Sequence, residues 1–327
     1  MKAIVHDRYG GPEVLRVAEV PTPAPGDREV LVRVHAAAVN ARDWHLLRGD
    51  PYVARLMAPE LGLHGPKVAV RGTDFAGTVE AVGRGVTRFR PGDEVYGEAN
   101  GAFADYVLAP DSVIDRKPRN LTFEQAAAVP LAANTALMGL RSVHPGQRVV
   151  INGASGGVGT FAVQLAKAFG AEVTGVCSPR NIELVRSLGA DHVVDYTAAD
   201  FTKDQRRYHV VFDLVGNRTL AELRRALTPT GTLLLSGGGV SRGGSLVGPM
   251  GLMMRGMAVG RFIRQRVVLL TAVPSAANLA TLTGLIEAGQ LVPVVDRTYP
   301  MVEAADAIGY LEVEHARAKV VLVQQGP

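Results

Sequence analysis

Cysteine is almost missing from this chain: Cys177 is the only one in 327 residues. One thiol excludes an intramolecular disulfide framework and any Cys₂ or Cys₄ zinc site within the chain. The opening MKAIVHDRYG lacks the long apolar core of a secretory signal. Lysine and arginine form no cluster and the formal charge is only +4, so no nucleic acid is expected as a partner. One uncharged run, Val267 to Ile286, is long enough to cross a bilayer, but Pro274, Ser275, Asn278 and three threonines interrupt it. It reads better as a strand, VVLLTAV, followed by a Ser-capped amphipathic helix, and no integral membrane insertion is expected. Internal repeats are missing too. Hydrophobic residues make up 47% and charged residues 20%, enough apolar material for the cores of two domains. The expectation is a soluble, cytoplasmic, two-domain protein.

The pattern changes character near residue 120. Before it, short apolar runs alternate with Gly and Pro, as in EVLVRVHAAAVN and GTVEAVGRGVTRFRPGDEVYG. The two-residue period of VLVRV and the turn chemistry of GRGV and RPGDEV predict a mostly β region. After it, the β-branched runs RVVIN, AEVTGVC, HVVDY, HVVFDLV and GTLLLS alternate with helical segments such as VGTFAVQLAKAFG. That alternation predicts an α/β architecture with a doubly wound parallel sheet covered on both faces. From about Val267 the alternation loosens, ending in a helix through MVEAADAIGYLEVE and a strand KVVLVQ. The Gly-rich SGGGVSRGGSLVGPMGLMMRGMAVG holds Met250, Met253, Met254 and Met257, which fit either a loop running into a helix or the lining of a substrate site.

The strongest local signal is RVVINGASGGVGTFAVQLAKAFG. Here a strand runs into Gly153, Ser155, Gly156, Gly157, Val158 and Gly159, and a helix follows at once. Glycines between a strand and a helix permit a tight turn and close approach of backbone to a pyrophosphate, which the helix N-terminus also favours. The spacing G-x-x-G-x-x-G is not the usual G-x-G-x-x-G, so its placement in a βα unit carries the argument. The same residues match G-x-S-x-G, the nucleophile elbow of serine hydrolases, with Asp213 and His315 following in the required order. The β-rich chain before the turn and the missing HGGG-type loop speak against that hydrolase reading. At the end of the second strand, Cys177-Ser178-Pro179-Arg180-Asn181 contains no acid. An NAD site wants a carboxylate there, whereas a hydroxyl, a guanidinium and an amide suit a 2′-phosphate, so Ser178, Arg180 and Asn181 predict NADPH.

With these residues in place, the chain resembles the medium-chain dehydrogenase/reductase superfamily, in its zinc-independent quinone oxidoreductase branch. The resemblance rests on KAIV…YGGPEVL, AAAVNARDWHLLRG, GTDFAGTVEAVG, PGDEVYG, AAAVPLAANTA, NGASGGVGTFAVQLAKAFGAEV and LGADHVVDY. It implies a GroES-like, barrel-like catalytic domain over residues 1–120, a Rossmann dinucleotide domain over 121–265, and a return segment, 266–327, that completes the catalytic domain. It further implies a cofactor in the cleft between the domains and, commonly, a homodimer. Zinc members carry a Cys ligand and Gly-His-Glu where this chain has Asn40 to Asp43 and Gly72-Thr73-Asp74. No metal is therefore expected, and without a Lewis acid the easier acceptors are quinones and α,β-unsaturated carbonyls.

The family pattern places Asn40 and Asp43 where the catalytic domain faces the nicotinamide, with Asn40 as a neutral donor to the developing oxyanion. His45 stands where related reductases often have Tyr, and Tyr52 follows. Both are candidate proton donors, with solvent the third; His45 is narrowly favoured because an unperturbed imidazole titrates near neutrality. Asp74 reads as a group that orients backbone or a neighbouring cation. Asn134 and Thr135 match the segment under the nicotinamide, and Tyr196 matches a contact to the adenosine 2′-phosphate. Val215, Gly216, Ser236, Gly237 and Gly238 fall on the carboxyl edge of the sheet, and Lys319 on the returning strand is expected to reach a phosphate. The leading function is NADPH-dependent reduction of quinones or activated alkenes. The alternatives are a cofactor-binding protein with little catalysis, as in crystallin-like or membrane-associated members, and a hydrolase using Ser155.

Overall fold

The computed structural model describes residues 1–57, 60–236, 250–260, 263–313 and 316–324. The expectations placed on Gly237, Gly238 and His315 lie outside these residues, as do those for the side chains of Met250, Met253 and Met257. The chain divides into two compact units, one built from 1–134 with 273–327 and the other from 135–272. Both divisions come later in the chain than the composition suggests. The helix Phe123–Ala127 packs on strands Glu29–Val39 and Asp74–Val82, so residues just after 120 belong to the β unit.

In the first unit the strand Glu29–Val39 is the organising element. It pairs antiparallel with Asp74–Val82, Tyr106–Pro110 and the returning strand Lys319–Val323. Val295–Pro300, Glu94–Glu98 and Ile114–Arg116 complete a seven-stranded sheet. The alternating β-branched residues of VLVRV turn Val30, Val32 and Val34 into the core, against Phe75, Val95, Phe103 and Val320. Pairing places four strand ends side by side. Val320 is opposite Val39, Asp74 opposite Ala38, and Asp74 opposite Glu98. Lys319, Asn40, Asp74 and Glu98 thereby meet at one end of the sheet, although 279 residues separate the first two in sequence.

The second unit is a parallel sheet. Its strands are β1 (Arg148–Asn152), β2 (Glu172–Cys177), β3 (His192–Asp195), β4 (Tyr208–Asp213), β5 (Leu227–Leu235) and β6 (Arg266–Leu269), in the order β3-β2-β1-β4-β5-β6. The order reverses between β1 and β4, and that switch point is where open α/β sheets bind ligands. Helix α1 (Gly157–Ala168) follows β1, its face formed by Phe161, Ala162, Leu165 and Ala166 fully buried. The uncharged run near the C-terminus resolves into β6 and a helix, Ala276–Glu287, whose Ser275 hydroxyl accepts from the Asn278 amide at 3.4 Å. Among the described residues, no helix is long and apolar enough to cross a membrane.

Candidate active site

The turn after β1 shows which glycines the protein itself requires. Gly153 has φ +93°, in the left-handed region, and a Cβ there would lie 2.8 Å from Val215 Cγ2. At Gly159 a Cβ would lie 2.1 Å from the Gly153 carbonyl oxygen, so close passage of α1 over the turn demands glycine. Gly156 is different. Its hypothetical Cβ meets nothing nearer than the same carbonyl at 3.4 Å, an ordinary contact. The fold does not need glycine there, and the open space above a helix N-terminus suits the close approach of a pyrophosphate. Gly156 is the N-cap of α1, with Gly157 and Val158 in its half-buried first turn.

Two buried amides hold the neighbouring loops. Asn152 Nδ2 donates to Asp213 Oδ1 at 2.8 Å and to Asn217 Oδ1 at 3.0 Å, tying the ends of β1 and β4 together at the switch point. Asp213 Oδ1 also accepts the backbone amides of Val215 and Gly216, and the Ser236 amide donates to the Asp213 carbonyl. Asn181 Nδ2 donates to Ser155 Oγ at 3.0 Å and Ser178 Oγ at 3.1 Å. Asn181 is 4% exposed and serves as a brace between the glycine turn and the end of β2. Since both hydroxyls accept from it, their own hydrogens are available to an outside acceptor. Ser178 makes no side-chain cap to the short helix that follows it. Arg180 is exposed, and Tyr196, 51% exposed, is fixed beside β2 by its amide bond to the Cys177 carbonyl.

In the β unit the strand ends form a buried polar seam. Asn40 Oδ1 accepts from Lys319 Nζ, and Asn40 Nδ2 donates to Asp74 Oδ2 at 3.0 Å and the Ala38 carbonyl at 3.3 Å. Lys319 Nζ lies 3.4 Å from Asp74 Oδ2, and the Leu131 amide donates to Asp74 Oδ1. Asn134 Nδ2 donates to Glu98 Oε1 at 3.1 Å and to the Val273 carbonyl at 2.9 Å, while its Oδ1 accepts from Asn278. Burial raises the Asp74 carboxyl, against the pull of Lys319 and Asn40. Burial and the Asp74 charge push Glu98 up to about 8. Asp43 accepts the Asn40 amide as a helix cap for Ala41–Arg48, and burial pushes it up to about 6.

Several sequence expectations change here. Lys319, expected to reach a phosphate, is 2% exposed and bonded to Asn40 and Asp74, because the register of its strand sets it against Asn40. Both amide hydrogens of Asn40 are used within the protein, so it is not the neutral donor expected for an oxyanion. Burial lowers the His45 pKa, leaving a neutral imidazole at pH 7 packed edge-on against Trp44, and the argument from an unperturbed value fails. Tyr52 is 45% exposed with its ring under the Arg55 guanidinium. Asn134 and Thr135 are buried. Among the described residues, which leave out His315, Ser155 has the Asn181 amide as its partner, and Asp213 binds Asn152 and loop amides, so the hydrolase reading finds no geometric support there. Sequence reading missed Glu98, Asn152 and Asn278. For Glu98 the signal was an acid closing the buried run VYG.

Comparison with known proteins places this arrangement. Residues 26–119 match the alcohol dehydrogenase GroES-like domain, and residues 188–322 match the model described as zinc-binding dehydrogenase. The mitochondrial NAD(P)H oxidoreductase RTN4IP1 of Bos taurus is 32% identical, over 98% of this chain and 89% of its own length. The chain belongs to the quinone oxidoreductase branch of the medium-chain dehydrogenase/reductases. Within that branch, the chloroplastic NADPH-dependent alkenal/one oxidoreductase of Arabidopsis thaliana is 33% identical, covering 98% of this chain and 79% of that protein. The quinone oxidoreductase from Coxiella burnetii superposes with a TM-score of 0.87 at 31% identity, covering 99% of each chain. Membership of the quinone oxidoreductase branch accounts for both units: a GroES-like sheet and a Rossmann sheet in one chain.

Proposed function

We propose that this protein is an NADPH-dependent oxidoreductase that reduces quinones or activated alkenes, α,β-unsaturated carbonyls among them, by hydride transfer without zinc. The observation that carries the cofactor assignment is the end of β2. Ser155 and Ser178 are held by Asn181 with their hydroxyl hydrogens available, Arg180 and Tyr196 are exposed beside them, and no carboxylate stands there to repel a 2′-phosphate. The glycine turn, with Gly156 left open for a pyrophosphate, supports the same reading. Bound there, NADPH supplies the hydride; the chain supplies position, charge and protons.

Zinc does not fit the residues at the matching places. The oxygens that would face a metal, Asn40 Oδ1 and Asp74 Oδ2, already face the Lys319 ammonium, which would repel a second cation. Among the described residues, no group of three or more His, Cys, Asp or Glu is placed to hold a metal. Quinones and enones suit such a site because conjugation spreads the negative charge that hydride addition creates. We further assign the protein to the cytoplasm, which the lone buried Cys177 favours, and to a homodimer, which the outer edge of β6, without a second partner strand among the described residues, favours.

Purified protein should oxidise NADPH in the presence of a quinone or an enone after exhaustive chelation. Stoichiometric zinc whose removal abolishes turnover, and whose return restores it, would refute the metal-free assignment. Tight NADPH binding with no turnover on either acceptor class would instead mark a binding protein.

A further inference from the structure

We propose that Asn181 sets the cofactor preference from behind the site, orienting the Ser155 and Ser178 hydroxyls so that both donate to the 2′-phosphate; this rests on the NADPH reading above. Sequence suggests that Asn181 itself contacts the phosphate, but its burial and bonding give it a different part. It is 4% exposed, and its Nδ2 donates to Ser155 Oγ at 3.0 Å and to Ser178 Oγ at 3.1 Å. An amide nitrogen carries two hydrogens, so both are used within the chain and neither is left for a ligand. The groups that reach solvent lie one layer further out. Ser155 and Ser178 are half-buried, and Arg180 and Tyr196 are exposed.

A hydroxyl has one hydrogen and two lone pairs, and the partner behind it decides which of them faces outward. A donor behind it occupies a lone pair and leaves the hydrogen for the ligand. An acceptor behind it takes the hydrogen and leaves only lone pairs, which repel a phosphate. Asn181 presents a donor to both serines at once, and so makes an anion site of two groups that are neutral and ambivalent by themselves.

The two serines come from different loops. Ser155 lies in the turn after β1, 26 residues from Asn181, and Ser178 follows the end of β2, three residues from it. Held at 3.0 and 3.1 Å from one nitrogen, their oxygens are close enough together to serve a single phosphate. The Asn181 backbone amide donates to the Ser178 carbonyl at 3.0 Å, which fixes the main chain that carries the side chain. Every group named belongs to the unit 135–272. Arg180 adds charge to the same edge, but a guanidinium attracts any phosphate. The oriented hydroxyl pair is what distinguishes a nucleotide with a 2′-phosphate from one with a 2′-hydroxyl.

Titrations with NADPH and NADH, followed by nicotinamide fluorescence, test this on the parent and its variants. Asn181→Leu removes the donor at similar size, and should raise the NADPH Kd about 10-fold while the NADH Kd stays within about threefold. Asn181→Asp has the same shape but turns acceptor oxygens to both serines. Its NADPH Kd should rise by about 10²-fold or more, again with NADH spared. In a chain that carries Ser155→Ala and Ser178→Ala, adding Asn181→Leu should change NADPH affinity by no more than about twofold, because Asn181 acts only through the hydroxyls. Equal losses on NADPH and NADH, with a lowered melting midpoint, would make Asn181 a purely structural brace and overturn the proposal. A full further loss on the serine-free background would make it a direct ligand and overturn it too. Should Asn181→Leu not fold, Asn181→Asp and the serine pair still decide, since NADPH affinity kept by either contradicts the proposal. A parent that binds NADH as tightly as NADPH would fail the cofactor reading itself, before any variant is made.

Discussion

Arg180 stands at the end of β2, where an NAD site would carry an acid. A charge-assisted hydrogen bond contributes about 1.5–3 kcal/mol, so Arg180→Ala should weaken NADPH binding by roughly 10- to 100-fold and leave NADH binding nearly unchanged. Isothermal titration with both nucleotides checks this, and an equal loss on both would contradict it. Lys319 illustrates the opposite case. Its surroundings are buried carboxylate and amide, and removing one member of such a pair typically costs about 3–5 kcal/mol. Lys319→Met should therefore lower the denaturant midpoint strongly, whereas a solvent-exposed phosphate ligand would leave it unmoved. The case for Arg180 could be made from sequence because it rests on neighbours within four residues. The surroundings of Lys319 and His45 could not be read there, because burial and long-range register set their chemistry, and neither is a local property.

At the scale of elements, the turn between β1 and α1 separates two uses of glycine. Gly159→Ala forces a Cβ to within 2.1 Å of the Gly153 carbonyl, so the helix must move off the strand and the unit should lose stability. Gly156→Ala should fold normally, because its Cβ would sit at an ordinary 3.4 Å, yet bind NADPH poorly where that space serves the pyrophosphate. Circular dichroism melts alongside nucleotide titrations distinguish the two. Equal destabilisation would show that Gly156 is also structural. Strands and helices of the Rossmann unit were readable from periodicity, since each βα repeat carries its own pattern of Val, Ile and Leu. In the β unit the individual strands were readable, but which strand ends meet was not. Asn40, Asp74, Glu98 and Lys319 come together only through pairings that span most of the chain.

For the whole molecule, buried ionisable groups tie stability to pH. Glu98 rises from an ordinary 4.5 to about 8 on folding, so its protonated burial supports the fold fully below pH 4.5, and that support is lost as pH climbs through about 8. His6 moves the other way: burial and Arg71 lower it from 6.5 to about 4, so its contribution is complete above pH 6.5 and disappears as pH falls through about 4. Glu98→Gln should accordingly be more stable relative to the parent at pH 9 than at pH 5, as read from urea midpoints. An unchanged difference across that range would show that Glu98 does not carry the proton. The domain plan, α/β with a β-rich partner, followed from composition and alternation. The points where the chain passes between units did not, because residues 121–134 look helical yet pack with the β sheet.

The central claim is NADPH-dependent, metal-free reduction of a conjugated carbonyl, and initial-rate kinetics of one chelator-treated preparation tests it most directly. NADPH and NADH would each be paired with 1,4-benzoquinone and with 2-cyclohexen-1-one. The account predicts turnover on both acceptors with kcat/KM for NADPH above that for NADH by roughly 10-fold or more, the value of one charge-assisted contact to the 2′-phosphate. Equal or better use of NADH, or activity that appears only when zinc is added, would contradict it.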